Sequence, residues 1–128
     1  MRQKLLITLV AVSIAAAASA QDVMKKESDG TFVVNTTSLA KDVKGFKGAT
    51  PLEVYIKKNK IVKVVPLRTV DGPKYVEMVK TGMLVKYEGM KVSDVEKTQI
   101  DGVTGATFTS DAMRENVKRA IEYFKNNK

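Results

Sequence analysis

Thr104, Thr107, Thr109 and Ser110 put four hydroxyls into seven residues, inside the stretch DGVTGATFTS that runs from Asp101 to Ser110. Gly102 and Gly105 stand among them and permit close backbone approach and left-handed turns. An amphipathic segment follows at once. Such a stretch has two readings. The plain one is a strand-to-helix turn with a side-chain cap, supplied by Thr109, Ser110 or Asp111. The chemical one is an anion site, because free N–H groups and the positive end of the helix dipole favour a phosphate there. The glycine spacings of dinucleotide-binding and P-loop folds are both absent, so those nucleotide sites are not indicated.

The rest of the composition narrows the chemistry. The 128-residue chain has no cysteine and no histidine. Disulfides, Cys/His zinc sites, iron–sulfur clusters and haem attachment through cysteine therefore have no ligands. Histidine-dependent triads and Cys–His nucleophile pairs are excluded as well. Redox chemistry, if there is any, must come with an organic cofactor. The net charge of +8 is spread over single lysines and short pairs such as Lys57-Lys58, with little aromatic interleaving. That pattern suits a well-charged surface and gives no footprint for nucleic acid.

The first twenty residues read as a secretory signal peptide. Arg2 and Lys4 precede an uncharged run from Leu5 to Ala18, and Ala18-Ser19-Ala20 is a small-x-small cleavage site. The run is shorter than the ~18–20 residues that cross a bilayer comfortably. The expected mature chain begins near Gln21 and meets the membrane only through that leader. It lies in the periplasm or another extracytoplasmic space. Residues 21–45 read as a lead-in, partly flexible, and 46–128 as the functional domain.

The elements that position the hydroxyl-rich turn show in the periodicities. Leu52, Val54 and Ile56 alternate with polar neighbours, and a β-branched run follows from Ile61 to Val65. This predicts an antiparallel hairpin turning at Asn59-Lys60. TFVVNTT, residues 31–37, predicts a short strand before it. A helix is expected to open on Pro73, with Gly82 ending it. A further short helix or turn should hold Val92 and Val95. Met113, Val117, Ala120, Ile121 and Phe124 recur at helical spacing and make one apolar stripe. The expectation is an α+β domain: a small antiparallel sheet with segregated helices, the last one following the hydroxyl-rich turn.

Asp101-Gly102-Val103-Thr104-Gly105-Ala106-Thr107 resembles the flavinylation motif D-x-x-(S/T)-G-A-T, and Phe108-Thr109-Ser110 completes its longer form. The motif belongs to the FMN-binding domain family, which includes flavin-carrying components of the sodium-translocating NADH:quinone reductase and of the Rnf complex. The order of hairpin, helical segment and motif is similar too, from about Phe46 to Phe124. The resemblance implies FMN joined by a phosphoester to Thr107, moved there from FAD by a flavin transferase of the ApbE type. It implies that Asp101 and Thr104 are read by that transferase or shape the turn, and that Gly105 and Ala106 keep the approach uncrowded. Thr109 and Ser110 would hydrogen-bond the attached phosphate. Family members often carry E-T-P-G after the hairpin, where this chain has TVDGPKY, residues 69–75.

The function so implied is that of an exported electron-transfer flavoprotein, a carrier rather than a stand-alone enzyme. Its partners would be the transferase and redox proteins or a membrane electron-transfer complex. Two other readings stand beside it: a secreted, non-redox module that binds an anionic ligand or a partner, and a flavin reductase with noncovalent FMN. Tyr55, Tyr75, Tyr87 and Phe108 are candidates to stack on the flavin, Phe108 and Tyr75 foremost, with core packing as the plain alternative. Lys91 and Lys118 are candidates to steady a reduced, anionic ring. Met78, Met83, Met90 and Met113 are read as core filler.

Overall fold

A computed structural model describes residues 23–128. The expected signal peptide and cleavage site lie outside the described residues. Four antiparallel strands form a meander in the order β1 (Met24–Lys26), β2 (Phe32–Asn35), β3 (Leu52–Lys57), β4 (Lys60–Pro66). Helix α1 (Pro73–Gly82), a 3-10 turn (Leu84–Tyr87), a one-turn helix α2 (Val92–Val95) and the long helix α3 (Thr107–Asn127) follow. The fold is α+β, with the sheet first and the helices after it.

Alternation sets the sheet's core face. Leu52, Val54 and Ile56 are buried while Glu53, Tyr55 and Lys57 between them are partly exposed. Val34 pairs with Val54 and Val54 with Val64, so buried β-branched side chains sit side by side across three strands. The hairpin turns at Lys58 and Asn59, both at positive φ (53° and 61°), one residue earlier than the sequence suggests. Two left-handed residues make the tight turn whose twist matches the strands. Tyr55 pairs with Lys63 but Ile56 pairs with Ile61, which leaves Val62 as a bulge residue in β4.

The lead-in expected to be partly flexible carries a strand. Met24–Lys26 pairs with Phe32–Val34 and adds a fourth strand at the sheet edge. A three-residue strand has too little periodicity to read locally. It forms because β2 offers an unpaired edge.

Helix α3 packs its stripe against β2, β3 and α1. Met113, Val117, Ala120 and Ile121 are fully buried, and Phe124 meets Phe32 edge-on at 5.2 Å between centroids. Each such large aliphatic side chain contributes about 1.5–3 kcal/mol by burial. Met83 and Met113 are buried core residues, with Met78 and Met90 packed at the margin. The whole arrangement sets the N-terminus of α3 beside the Pro73 end of α1. Among the described residues no helix is long and apolar enough to cross a membrane.

Candidate functional site

Helix α3 begins at Thr107, with Ala106 in the cap position and no side-chain cap. The N–H groups of Thr107, Phe108 and Thr109 have no carbonyl four residues earlier within the helix, so they point out of its end. Thr109, Ser110 and Asp111, expected as caps, lie inside the first turns. The helix starts earlier because Ala106 donates to Val103 at 2.9 Å and its own carbonyl accepts from Ser110 at 2.9 Å.

The four hydroxyls separate into two pairs. Thr104 and Thr107 are exposed. Thr109 and Ser110 are buried and used internally. Ser110 Oγ accepts from the Val103 N–H at 2.9 Å, which folds the motif loop back over the helix. Thr109 Oγ1 donates to Asp71 Oδ2 at 2.7 Å. Asp101 is exposed, Ala106 is buried, and Gly105 holds the turn at φ +91°. Only glycine takes that backbone angle without strain.

Asp71 was not singled out by the sequence. It is 2% exposed, and its carboxylate also accepts from the N–H groups of Phe46 (3.0 Å), Lys47 (2.7 Å) and Gly48 (3.1 Å). Burial pushes its carboxyl up, but the amide of Lys47, the Thr109 hydroxyl and the amides of Phe46 and Gly48 outweigh that and hold it below the ordinary carboxylate range. The one signal for it was its place in D-G-P, directly before a helix.

Beside Thr107 opens a cleft of about 240 Å³. Its floor is the Gly105–Thr109 turn and its walls are Phe46, Tyr75 and Phe108. Phe46 and Phe108 are stacked at 6.2 Å with 30° between ring planes, and Tyr75 stands 6.2 Å from Phe46 at a tilt of 50°. These rings are largely exposed: Phe46 58%, Phe108 64%, Tyr75 37%. Three exposed aromatics in one place form an unsatisfied apolar patch on a small domain. The cleft is below the usual ~300–1,000 Å³ of an enclosing ligand pocket, so it suits a flat ring held at the surface.

Tyr75 and Phe108, the foremost candidates to stack on a flavin, line the cleft, and Phe46 joins them. Phe46 gives no sequence signal because it sits in an irregular glycine-flanked loop. Tyr87 is instead a buried core residue. Tyr55 stays on the hairpin, its hydroxyl 3.1 Å from Glu53 and the Lys63 ammonium 4.6 Å from its ring centroid. Lys91 lines a lysine-rich depression with Lys58, Lys60, Lys125 and Lys128, and Lys118 lines another beside Arg114. Neither lysine lines the aromatic cleft.

The site fits FMN on its own geometry. Aromatic faces suit a flavin ring, and a helix N-terminus beside an exposed hydroxyl suits its phosphate. Comparison with curated proteins gives no match, and comparison with solved structures gives none. The family model for the FMN-binding domain matches residues 45–122, a span that opens just before Phe46 and includes Asp71, the aromatic cleft and most of α3. The chain belongs to the FMN-binding domain family.

Proposed function

We propose that this chain is an exported electron-transfer flavoprotein that carries FMN as a phosphoester on Thr107. The observation that carries the reading is the division of the hydroxyls. Thr107 is exposed at the helix start beside the aromatic cleft, while Thr109 and Ser110 are committed to Asp71 and Val103. Thr104 is exposed as well, but of the two free hydroxyls only Thr107 lines the cleft.

The attachment balances as a phosphoryl transfer. Thr107 Oγ1 attacks the FMN-side phosphorus of FAD, the pyrophosphate bond breaks, AMP leaves, and the hydroxyl proton passes to a base. An unassisted threonine is a weak nucleophile. The buried carboxylate of the site, Asp71, already accepts from four donors, so activation falls to the flavin transferase. Exposed Asp101 and Thr104 are the parts of the turn a transferase would read. The product phosphodiester keeps one negative charge, which the N–H groups and dipole at the start of α3 favour.

Bound FMN supplies one- and two-electron transfer. The protein's part is to hold the ring between Phe46, Tyr75 and Phe108 and to keep it from being lost. A small exported carrier with a dissociable cofactor would empty on dilution, because occupancy follows free ligand concentration. A covalent bond removes that dependence. Residues 1–20 would be cleaved on export, and redox partners would meet the cleft face.

The test is co-expression with a flavin transferase, then denaturation and intact-mass measurement. The wild type should stay yellow and carry one FMN adduct, and Thr107→Ala should carry none. Release of the chromophore from denatured wild type, or an adduct on the alanine variant, rules the attachment out.

A further inference from the structure

We propose that Asp71 is the positioning residue of the flavin cleft: its carboxylate fixes the aromatic walls relative to one another and to Thr107. This rests on the reading that the FMN ring lies between those walls.

The three walls come from three separate segments. Phe46 belongs to the loop between β2 and β3, Tyr75 to the start of α1, and Phe108 to the first turn of α3. Asp71 sits where all three meet. Its carboxylate gathers the consecutive N–H groups of Phe46, Lys47 and Gly48, which fixes the Phe46 loop. The same group accepts from Thr109, the residue after Phe108 and two after Thr107. Tyr75 follows four residues later in the chain, and its ring packs over Gly72, where an added Cβ would lie 3.2 Å from Tyr75 Cδ2.

A buried carboxylate is costly unless fully hydrogen-bonded. An apolar residue here would leave three loop N–H groups without this acceptor, so the anion and the loop require each other. Charge-assisted bonds to backbone amides are shorter and stronger than neutral ones. The neighbouring chain is shaped to admit the carboxylate. A Cβ on Gly45 would clash with Asp71 Oδ2, at 2.2 Å. Thr69 adds a brace, its hydroxyl accepting from the Asp71 N–H at 3.2 Å and donating to the Ala49 carbonyl at 2.6 Å.

Asp71 touches neither the ring space nor the attachment oxygen; it acts through Phe46 and Thr109. Its removal should therefore loosen the ring's surroundings in protein that is still folded. The decisive measurement is iodide quenching of flavin fluorescence, per flavin bound, well below the melting temperature. Phe46→Ala is the control for where the ring lies, and its quenching should rise toward that of free FMN. Asp71→Asn and Thr109→Val should raise it too, with altered visible circular dichroism, and Thr109→Ser should restore the wild-type signature. In flavin-free protein, Asp71→Asn should also speed amide exchange at residues 46–48 about tenfold, as expected for a lost hydrogen bond of about 1.4 kcal/mol.

If Phe46→Ala raises quenching while Asp71→Asn and Thr109→Val leave it at the wild-type value, the positioning role is wrong and the cleft reading survives. If Phe46→Ala changes nothing, the ring is not in this cleft and both fall. Should Asp71→Asn not fold, Thr109→Val against Thr109→Ser decides the matter, since that pair keeps the carboxylate and its loop amides.

Discussion

The hydroxyl of Thr36 donates to the side-chain carbonyl of Asn116, 80 residues away in sequence. Both groups are buried. Thr36 also accepts from the Leu52 N–H at 2.9 Å, and the Asn116 amide donates to the Ala112 carbonyl at 2.8 Å. One polar pair thus registers the middle of α3 on the end of β2, inside an apolar interface. The start of that helix holds Thr107, so the register reaches the site. Asn116→Leu should lower stability by about 1–3 kcal/mol, through the loss of a buried partner. Urea unfolding followed by circular dichroism would measure it, and the slope against denaturant should stay unchanged.

The aromatic walls should behave in the opposite way. Phe108 is 64% exposed and carries little of the core. Phe108→Ala should therefore change unfolding free energy by no more than about 0.5 kcal/mol, as surface substitutions usually do. The flavin of the loaded protein should nonetheless become more exposed to iodide, since a wall of its cleft is gone. A large loss of stability with unchanged quenching would make Phe108 a packing residue.

The hairpin, α1 and the stripe of α3 were legible in the sequence because each rests on local periodicity. Leu52, Val54 and Ile56 show their face within five residues, and Met113 to Phe124 within twelve. The turn before α3 stood out only through its likeness to a family motif, since composition alone favoured a plain helix cap. Asp71 and Phe46 were not legible. Their roles come from contacts across 23 to 62 residues, made from irregular segments with no period to read. The caps depart from expectation for a related reason. Hydroxyls near a helix start suggest caps, but here Asp71 and the Val103 amide compete for Thr109 and Ser110 and win.

Gly105 separates backbone need from crowding. Its φ is +91°, yet an added Cβ would meet only Met78 Cε at an ordinary 3.6 Å. Gly105→Ala should cost about 1–2 kcal/mol from the left-handed backbone alone. The same strain should pull the turn away from its present shape, so flavin loading by the transferase should fall as well. Gly89→Ala, at φ +84° in open space and outside the cleft, should show a comparable stability loss with normal loading.

Acid should act through Asp71. Its folded carboxyl lies below the ordinary range, since the hydrogen bonds from Lys47, Thr109, Phe46 and Gly48 outweigh a burial effect that pushes it up. A depressed acid stabilises the fold above its unfolded pKa and loses that contribution as pH falls through the folded value. The stability gap between wild type and Asp71→Asn should therefore be constant near neutrality and begin to shrink below about pH 4. A gap that persists unchanged into strong acid would mean that the charge of Asp71 is not what the loop amides hold.

Alkali should act through Tyr87. Burial pushes its hydroxyl up to about 12, against a smaller opposing pull from the Arg114 charge. The neutral phenol is therefore preferred in the folded state, and the ionised one in the unfolded chain at lower pH. Stability from this group is intact below about pH 10 and is lost as pH rises through the folded value. A shift from 10.0 to about 12 amounts to about 3 kcal/mol once both states are ionised. Tyr87→Phe should remove this part of the alkaline decline while other tyrosines and lysines keep theirs. Between pH 8 and pH 11 the wild type should therefore lose unfolding free energy faster than Tyr87→Phe, with tyrosinate absorbance in the wild type showing one late-titrating phenol. Parallel curves would place Tyr87 in contact with water and outside the core that supports α3.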